Sequence, residues 1–199
     1  MKFFVNFLSA FRIFAAFAII PSLMFQLYWT AFILFVLGAI SDWFDGWLAR
    51  KYNVCSKIGG VMDHIGDKLL VANTLIMLSV MMPVWFIVVP TIIMIARELY
   101  ISGLREFLGT QKIEMPVPKA RFSMGKIKTT LQMIAAGAFM LMFAITVLIT
   151  PTTTGRIWIY LITWLPQIGI FGLWFALVAS IWSATQYTMT FAEKLKKIK

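Results

Sequence analysis

The feature that most constrains this chain is a succession of long apolar stretches separated by short segments that carry charges, glycine or proline. A helix needs roughly 20 mostly apolar residues to cross a bilayer, and several such stretches follow one another here. Hydrophobic residues make up 61% of the 199 residues and charged residues only 13%. A soluble domain of this size cannot bury so much apolar surface. The solvent around most of the chain must therefore be lipid.

Strand-like alternation is not sustained anywhere, which argues against a membrane barrel. We predict a single all-α domain over residues 1–199, a polytopic membrane protein with six transmembrane helices. The predicted spans cover approximately residues 4–26, 29–50, 58–82, 84–106, 124–150 and 156–190. The short connections after the first and third spans predict antiparallel hairpins. The last span is long enough to be tilted or extended, or to break near Pro166 and Gly169.

The distribution of basic residues predicts the orientation. With the N-terminus in the cytoplasm, all of the 18 Lys and Arg residues except Arg156 fall on the cytoplasmic side. The positive-inside rule requires this asymmetry, so we expect both termini to be cytoplasmic. The net charge of +10 mostly reflects this topology and gives no reason to expect a nucleic-acid partner. A compact chain without a transit peptide favours a bacterial inner membrane.

All the aspartates of the chain lie within one short segment, at the end of the second span and the start of the third. They are Asp42, Asp45, Asp63 and Asp67. Spacings of three and four residues put each pair on one helix face, about 7–16 Å inside the helix ends. Charges inside a span are costly, so they indicate function. Four carboxylates repel one another unless some are protonated or cations lie between them. Oxygen ligands suit Mg²⁺ or Mn²⁺, and a site for two ions is typical of phosphoryl transfer.

Small residues accompany the aspartates. Gly46 and Ala49 follow Asp42, and Gly59 precedes Asp63, which leaves room on the acidic faces for a ligand. Arg50 offers a guanidinium group to a phosphate. The alternative interpretation is close helix packing, with the charges reaching towards the membrane surface.

Residues 42–67, DWFDGWLARKYNVCSKIGGVMDHIGD, fit the pattern D-x2-D-G-x2-A-R-x8-G-x3-D-x3-D at every specified position. By this pattern the chain resembles the CDP-alcohol phosphotransferases. The stretches IARELYISGLREF (95–107) and GKIKTTLQM (125–133) look like those of bacterial phosphatidylglycerophosphate synthases. The segment NFLSAFR (6–12) is similar to the family's N-x-L-T-x-x-R, with Ser9 in place of the usual threonine.

The resemblance implies six transmembrane helices, a homodimer and a divalent-metal site that faces the cytoplasm. It implies that Asp42, Asp45 and Asp63 are metal ligands, and that Asp67 is the general base and a fourth contact to metal. The positions of Gly46, Ala49 and Gly59 match those that shape the nucleotide site. We therefore expect transfer of the phosphatidyl group of CDP-diacylglycerol. In this mechanism Mg²⁺ or Mn²⁺ ions, two per site, bind the diphosphate, and Asp67 takes the proton of the attacking hydroxyl.

A phosphorylated acceptor requires cations near this pocket. Candidates at the cytoplasmic ends of the fourth and fifth spans are Arg97, Arg105, Lys126 and Lys128. We predict that they bind the phosphate of sn-glycerol 3-phosphate. Alternatively, they act as positive-inside anchors or form ion pairs with Glu98 and Glu106.

Two other functions remain open at this point. The first keeps the chemistry but changes the acceptor to phosphatidylglycerol (a cardiolipin synthase), inositol phosphate or serine, because the aspartate pattern concerns only the shared donor. The second is a divalent-cation transporter, since intramembrane acids also line ion pathways. The clustering of the acidic residues near one membrane face argues against transport.

Overall fold

A computed structural model describes residues 2–52, 57–110, 124–148 and 156–196. Over these ranges the chain forms six α-helices and no strand, which confirms the predicted all-α fold. The helices are α1 (Lys2–Met24), α2 (Tyr28–Tyr52), α3 (Lys57–Met81), α4 (Trp85–Thr110), α5 (Met124–Thr146) and α6 (Arg156–Lys196). Each helix matches one predicted span to within a few residues, except that α6 extends further towards the C-terminus.

The helices have the length and apolar composition of membrane spans. Five of them, all except α2, are long and apolar enough to cross a bilayer, and the part of α2 whose side chains the structure describes contributes the shorter apolar segment Tyr28–Ser41. Large apolar side chains point outward, such as Phe14 (65% exposed), Trp85 (69%) and Ile157 (72%). An apolar surface of this extent is not compatible with water. The chain is therefore an integral membrane protein.

Two short connections join neighbouring helices as predicted. After α1, Gln26 adopts a φ of 59°, and the N–H of Leu27 donates to the carbonyl of Ser22 at 2.8 Å. This is the geometry of a Schellman motif, which ends a helix and reverses the chain. Between α3 and α4, Pro83 prevents the helix from continuing, because it lacks an N–H.

Two groups of helices pack around the core. Helix α1 packs mainly against α2 and α3, helix α6 against α5 and α4, and α2 contacts α5. The fully buried side chains of Leu70, Leu78 and Phe139 belong to the central apolar cluster. Gly38 of α2 lies directly against Leu70, where a Cβ atom would come within 2.9 Å of the Leu70 side chain. Helix α3 also contacts α4 and α5, so it lies next to both groups.

Helix α6 is continuous over 41 residues, so the possible break near Pro166 and Gly169 does not occur and the extended-helix alternative is correct. Gly169 instead allows close packing, because a Cβ atom there would lie 2.5 Å from Phe139 Cε2. At about 1.5 Å per residue the helix is roughly 60 Å long, about twice the thickness of the hydrocarbon core. Its C-terminal half thus accompanies α4 and brings Ser183 and Tyr187 to a cavity among the helices.

Candidate functional site

Asp63 and Asp67 of α3 share one buried cation, Arg12 of α1. The Arg12 Nη1 atom lies 2.7 Å from Asp63 Oδ1 and 3.0 Å from Asp67 Oδ1. Arg12 Nε donates to the carbonyl of Gly38 on α2 at 3.3 Å. The Arg12 side chain is completely buried, whereas those of Asp63 and Asp67 are 43% and 30% exposed. One guanidinium group therefore joins three helices and orients both carboxylates.

A glycine makes room for this arrangement. A Cβ atom at Gly66 would lie 3.3 Å from Arg12 Cδ, closer than most real Cβ contacts. Gly66, the residue directly before Asp67, therefore leaves space for the Arg12 side chain.

The other part of the predicted aspartate quartet lies on α2. Both are helical: Asp42 lies one turn after Gly38, the residue whose carbonyl Arg12 contacts, and Asp45 lies about one turn further along. Their side chains lie outside the described residues, as do those of Ala49 and Arg50. Gly46 is part of the same stretch of α2. Gly59 is buried near the start of α3. The predicted meeting of the four carboxylates, and the predicted nucleotide contacts, remain predictions.

The donor chemistry of α3 fits a hard divalent cation. Two partly exposed carboxylates lie one helical turn apart, and oxygen donors of this kind are preferred by Mg²⁺ and Mn²⁺. Among the described side chains, no three acidic, histidine or cysteine residues come together. Asp42 and Asp45, the other two donors of the predicted set, are not among them.

Next to Asp67 a cavity of about 580 Å³ opens between α3, α4, α5 and α6. Part of its wall is apolar, with Val71, Leu75 and Met94 among the lining residues. The remaining wall is mostly polar and carries charged groups from three helices. These charged lining residues are Asp67, Lys68, Arg97, Glu98, Arg105 and Lys128.

Glu98 lies at the centre of the cationic part of this wall. Its Oε1 atom accepts hydrogen bonds from Arg97 Nη1 at 2.8 Å and from Lys128 Nζ. Its Oε2 atom lies 3.8 Å from Lys68 Nζ, which also donates to Ser102 Oγ at 2.7 Å. Three cations from α3, α4 and α5 thus surround one carboxylate, and positive charge is in excess.

The two arginines of α4 are oriented by α6. Arg97 Nη2 donates to Ser183 Oγ at 2.8 Å, while its buried Nε has no acceptor among the described residues. Arg105 Nη2 donates to Tyr187 Oη at 2.8 Å, and its guanidinium carbon lies 5.0 Å from the centre of the Tyr187 ring. An anion with several oxygen atoms would provide the acceptor that Arg97 Nε lacks.

The predicted acceptor residues are thus largely brought together. Arg97, Arg105 and Lys128 line the same cavity as Asp67. The side chain of Lys126 lies outside the described residues. The alternative of ion pairing is also present in part, because Glu98 pairs with Arg97 and Lys128.

Sequence reasoning assigned no role in the site to several residues that lie there. They are Arg12, Lys68, Glu98, Gln132, Ser183 and Tyr187. For Arg12 and Glu98 a signal existed, since a charge inside an apolar span indicates a buried partner. Gln132 is only 4% exposed, and its Nε2 atom contacts Met94 Sδ at 3.0 Å. For Ser183 and Tyr187 no signal existed, because only the unusual length of α6 brings them to the cavity.

Comparison with known proteins agrees with this geometry. The chain matches the family model for CDP-alcohol phosphatidyltransferase over residues 3–182. It is 36% identical to the CDP-diacylglycerol–glycerol-3-phosphate 3-phosphatidyltransferase of Sodalis glossinidius over 155 residues, which are 78% of this chain and 74% of that protein. It is 29% identical to the Blochmanniella floridana enzyme of the same name over 97% of this chain and 93% of that protein. The chain belongs to the CDP-alcohol phosphatidyltransferase family.

Proposed function

We propose that this protein transfers the phosphatidyl group of CDP-diacylglycerol to sn-glycerol 3-phosphate, giving phosphatidylglycerophosphate and CMP. The observation that carries the proposal is that Asp67 and the cations held around Glu98 line the same cavity. A carboxylate next to an anion site is the arrangement that a phosphorylated alcohol requires, because its hydroxyl must lose a proton while its phosphate is held.

The excess positive charge favours a phosphorylated acceptor. Lys68, Arg97 and Lys128 share one carboxylate, and Arg105 adds a further charge at the wall of the cavity. Serine carries no phosphate and no net charge, so it would not balance the positive charge that exceeds the one carboxylate of Glu98. Inositol phosphate and phosphatidylglycerol carry one, but the relatives described above are named for glycerol 3-phosphate. Their names support glycerol 3-phosphate as the acceptor.

The reaction is a displacement at the phosphorus atom that carries the diacylglycerol. The acceptor hydroxyl oxygen forms the new P–O bond, the bond from this phosphorus to the CMP oxygen breaks, and the proton of the hydroxyl passes to Asp67. Arg12 fixes the direction of the Asp67 carboxylate, and the cations around Glu98 hold the phosphate of the acceptor. Gly46, Ala49, Arg50 and Gly59 would accommodate the nucleotide and its diphosphate.

Asp42, Asp45, Asp63 and Asp67 would hold the divalent cations, Mg²⁺ or Mn²⁺, and four carboxylates are enough for two ions per site. When bound, such ions stabilise negative charge on the diphosphate and on the departing CMP. The partly exposed carboxylates of α3 suit this role.

We further propose six transmembrane spans in one domain, with both termini and the reaction cavity on the cytoplasmic side of a bacterial inner membrane. The bacterial relatives and the excess of basic residues at the proposed cytoplasmic helix ends support this topology. The family resemblance supports a homodimer.

The test is CMP release by the purified protein in detergent, with CDP-diacylglycerol, Mg²⁺ and one acceptor at a time. The acceptors are glycerol 3-phosphate, phosphatidylglycerol, inositol phosphate and serine. We expect release that depends on glycerol 3-phosphate and is lost when the metal is chelated. Release with a different acceptor would overturn the acceptor assignment. If folded protein releases no CMP and instead carries divalent cations across the membrane of proteoliposomes, the protein is a transporter and the proposed enzymatic function is wrong.

A further inference from the structure

We propose, on the basis of the function above, that Glu98 is the positioning residue of the acceptor-phosphate site. It would not contact the reacting atoms. It would hold basic side chains from three helices around one carboxylate, in an arrangement that a phosphate can enter.

The contacts of Glu98 distinguish it from the other acidic side chains described. It accepts hydrogen bonds from Arg97 Nη1 at 2.8 Å and from Lys128 Nζ, and its second oxygen lies 3.8 Å from Lys68 Nζ. These partners belong to α4, α5 and α3. Asp67, the other acidic residue of the cavity wall, is instead held by Arg12 of α1.

The burial of its partners explains why a carboxylate is needed. The side chains of Lys128 and Arg97 are only 6% and 11% exposed. Two cations that lose most of their hydration repel each other strongly unless an opposite charge lies between them. Lysine has a flexible side chain with one compact charge, so Lys128 depends on a partner for its position. Without Glu98 it would turn away from the cavity.

The same carboxylate leaves the cluster ready for an anion. One negative charge faces three positive ones, so the cluster is ordered but not neutralised. Preorganised donors bind a ligand more tightly because they need not be ordered when it arrives. The opposite possibility is that Glu98 only competes with the phosphate for its cations, in which case its removal would strengthen binding. The direction of the effect therefore separates the two roles.

The experiment compares Glu98→Gln with Glu106→Gln, the same change on the same helix at an exposed residue outside the cavity. We expect Glu98→Gln to raise the KM for glycerol 3-phosphate about 10- to 100-fold, as for truncation of a buried charge pair. The KM for CDP-diacylglycerol should stay within about twofold, as should both constants in the control. Calorimetric titration with glycerol 3-phosphate alone should show the same loss of affinity.

A double substitution tests whether Glu98 acts through Lys128. If it does, Glu98→Gln combined with Lys128→Gln raises the KM by less than the product of the two single effects, because Lys128 is no longer there to be misplaced. Additive effects would show that Glu98 acts independently of Lys128 and would overturn the inference. If Glu98→Gln does not fold, Glu98→Asp shortens the side chain but keeps the charge, and an unchanged KM there would count against the positioning role.

The outcomes also separate this inference from the function on which it rests. Wild-type protein without release of CMP in response to glycerol 3-phosphate would refute the proposed function. Wild-type activity together with unchanged or tighter acceptor binding in Glu98→Gln would refute only the role of Glu98.

Discussion

Two charged clusters meet on α3, and they are opposite in composition. In the first, the buried guanidinium group of Arg12 forms ion pairs with the carboxylates of Asp63 and Asp67. In the second, the carboxylate of Glu98 forms ion pairs with several cations, which include Lys68, the residue next to Asp67. In each cluster the counterion orders the groups without neutralising them. The first is left with excess negative charge and the second with excess positive charge, which suits a metal ion and a phosphate respectively.

The difference shows how one helix can serve two ligands. Adjacent residues of a helix point about 100° apart, so Asp67 and Lys68 turn towards different neighbours. Asp67 contacts Arg12 of α1, and Lys68 lies near Glu98 and Ser102 of α4. The reaction would take place at the boundary between the clusters, where a proton acceptor of one lies beside the anion site of the other.

The largest effect should follow from removing the proton acceptor at this boundary. We expect Asp67→Asn to lower the turnover number by about 10²- to 10⁴-fold, because an amide cannot take the proton of the acceptor hydroxyl. Binding of CDP-diacylglycerol should largely persist. The measurement is the rate of CMP release at saturating substrates, with Glu106→Gln as the control. Normal turnover in Asp67→Asn would end the assignment of the base.

The buried counterion of the first cluster can be removed by Arg12→Met. Two carboxylates would then lose their partner, and we expect a loss of about 3 kcal/mol in the free energy of unfolding. Arg105→Met removes an exposed arginine of the second cluster and should cost less than about 1 kcal/mol. Reversible unfolding in detergent provides the comparison. Equal losses in the two variants would mean that Arg12 is not the organising cation described here.

Within the second cluster, substitution of a buried cation should raise the KM for glycerol 3-phosphate more than substitution of an exposed one. We expect Lys128→Gln to raise the KM for glycerol 3-phosphate about 10- to 100-fold. Arg105→Gln should raise it only about 2- to 5-fold, because exposed charges interact more weakly. Lys126→Gln tests the remaining cation predicted from sequence. An unchanged KM in all of these variants and in Arg97→Gln would place the acceptor phosphate elsewhere.

The smallest effect should come from Tyr187→Phe. This change removes the hydrogen bond to Arg105 but keeps the aromatic ring beneath its guanidinium group. We expect the KM for glycerol 3-phosphate to rise by no more than about threefold, in line with the loss of one exposed hydrogen bond. A much larger rise would show that Tyr187 itself contacts the acceptor.

The sequence was sufficient for the helices because lipid imposes a simple rule on them. Apolar length predicted the spans, and the short connections predicted the hairpins at Gln26 and Pro83. The continuity of α6 could not be predicted, because proline and glycine, which occur here as Pro166 and Gly169, are also the residues found where helices break. Whether Gly169 breaks a helix or packs against Phe139 depends on a neighbour distant in sequence.

The site was predicted in part, and the missing part consists of contacts between helices. The spacing of Asp63 and Asp67 could be interpreted from one helix alone. The pairing of both with Arg12 could not, because it depends on how α1 packs on α3. Glu98 was considered only as an ion-pair partner of the nearby cations. Its contacts with Lys68 and Lys128 come from helices that hydropathy cannot position relative to one another.

The central claim is that the acceptor phosphate binds at the cationic cluster and not at the carboxylates. The most direct measurement is calorimetric binding of sn-glycerol 3-phosphate to the wild type, Lys128→Gln and Asp63→Asn. We expect at least about a tenfold loss of affinity in Lys128→Gln and a change within about twofold in Asp63→Asn. Equal losses in both variants, or a loss only in Asp63→Asn, would contradict the division of the site into two clusters of opposite charge.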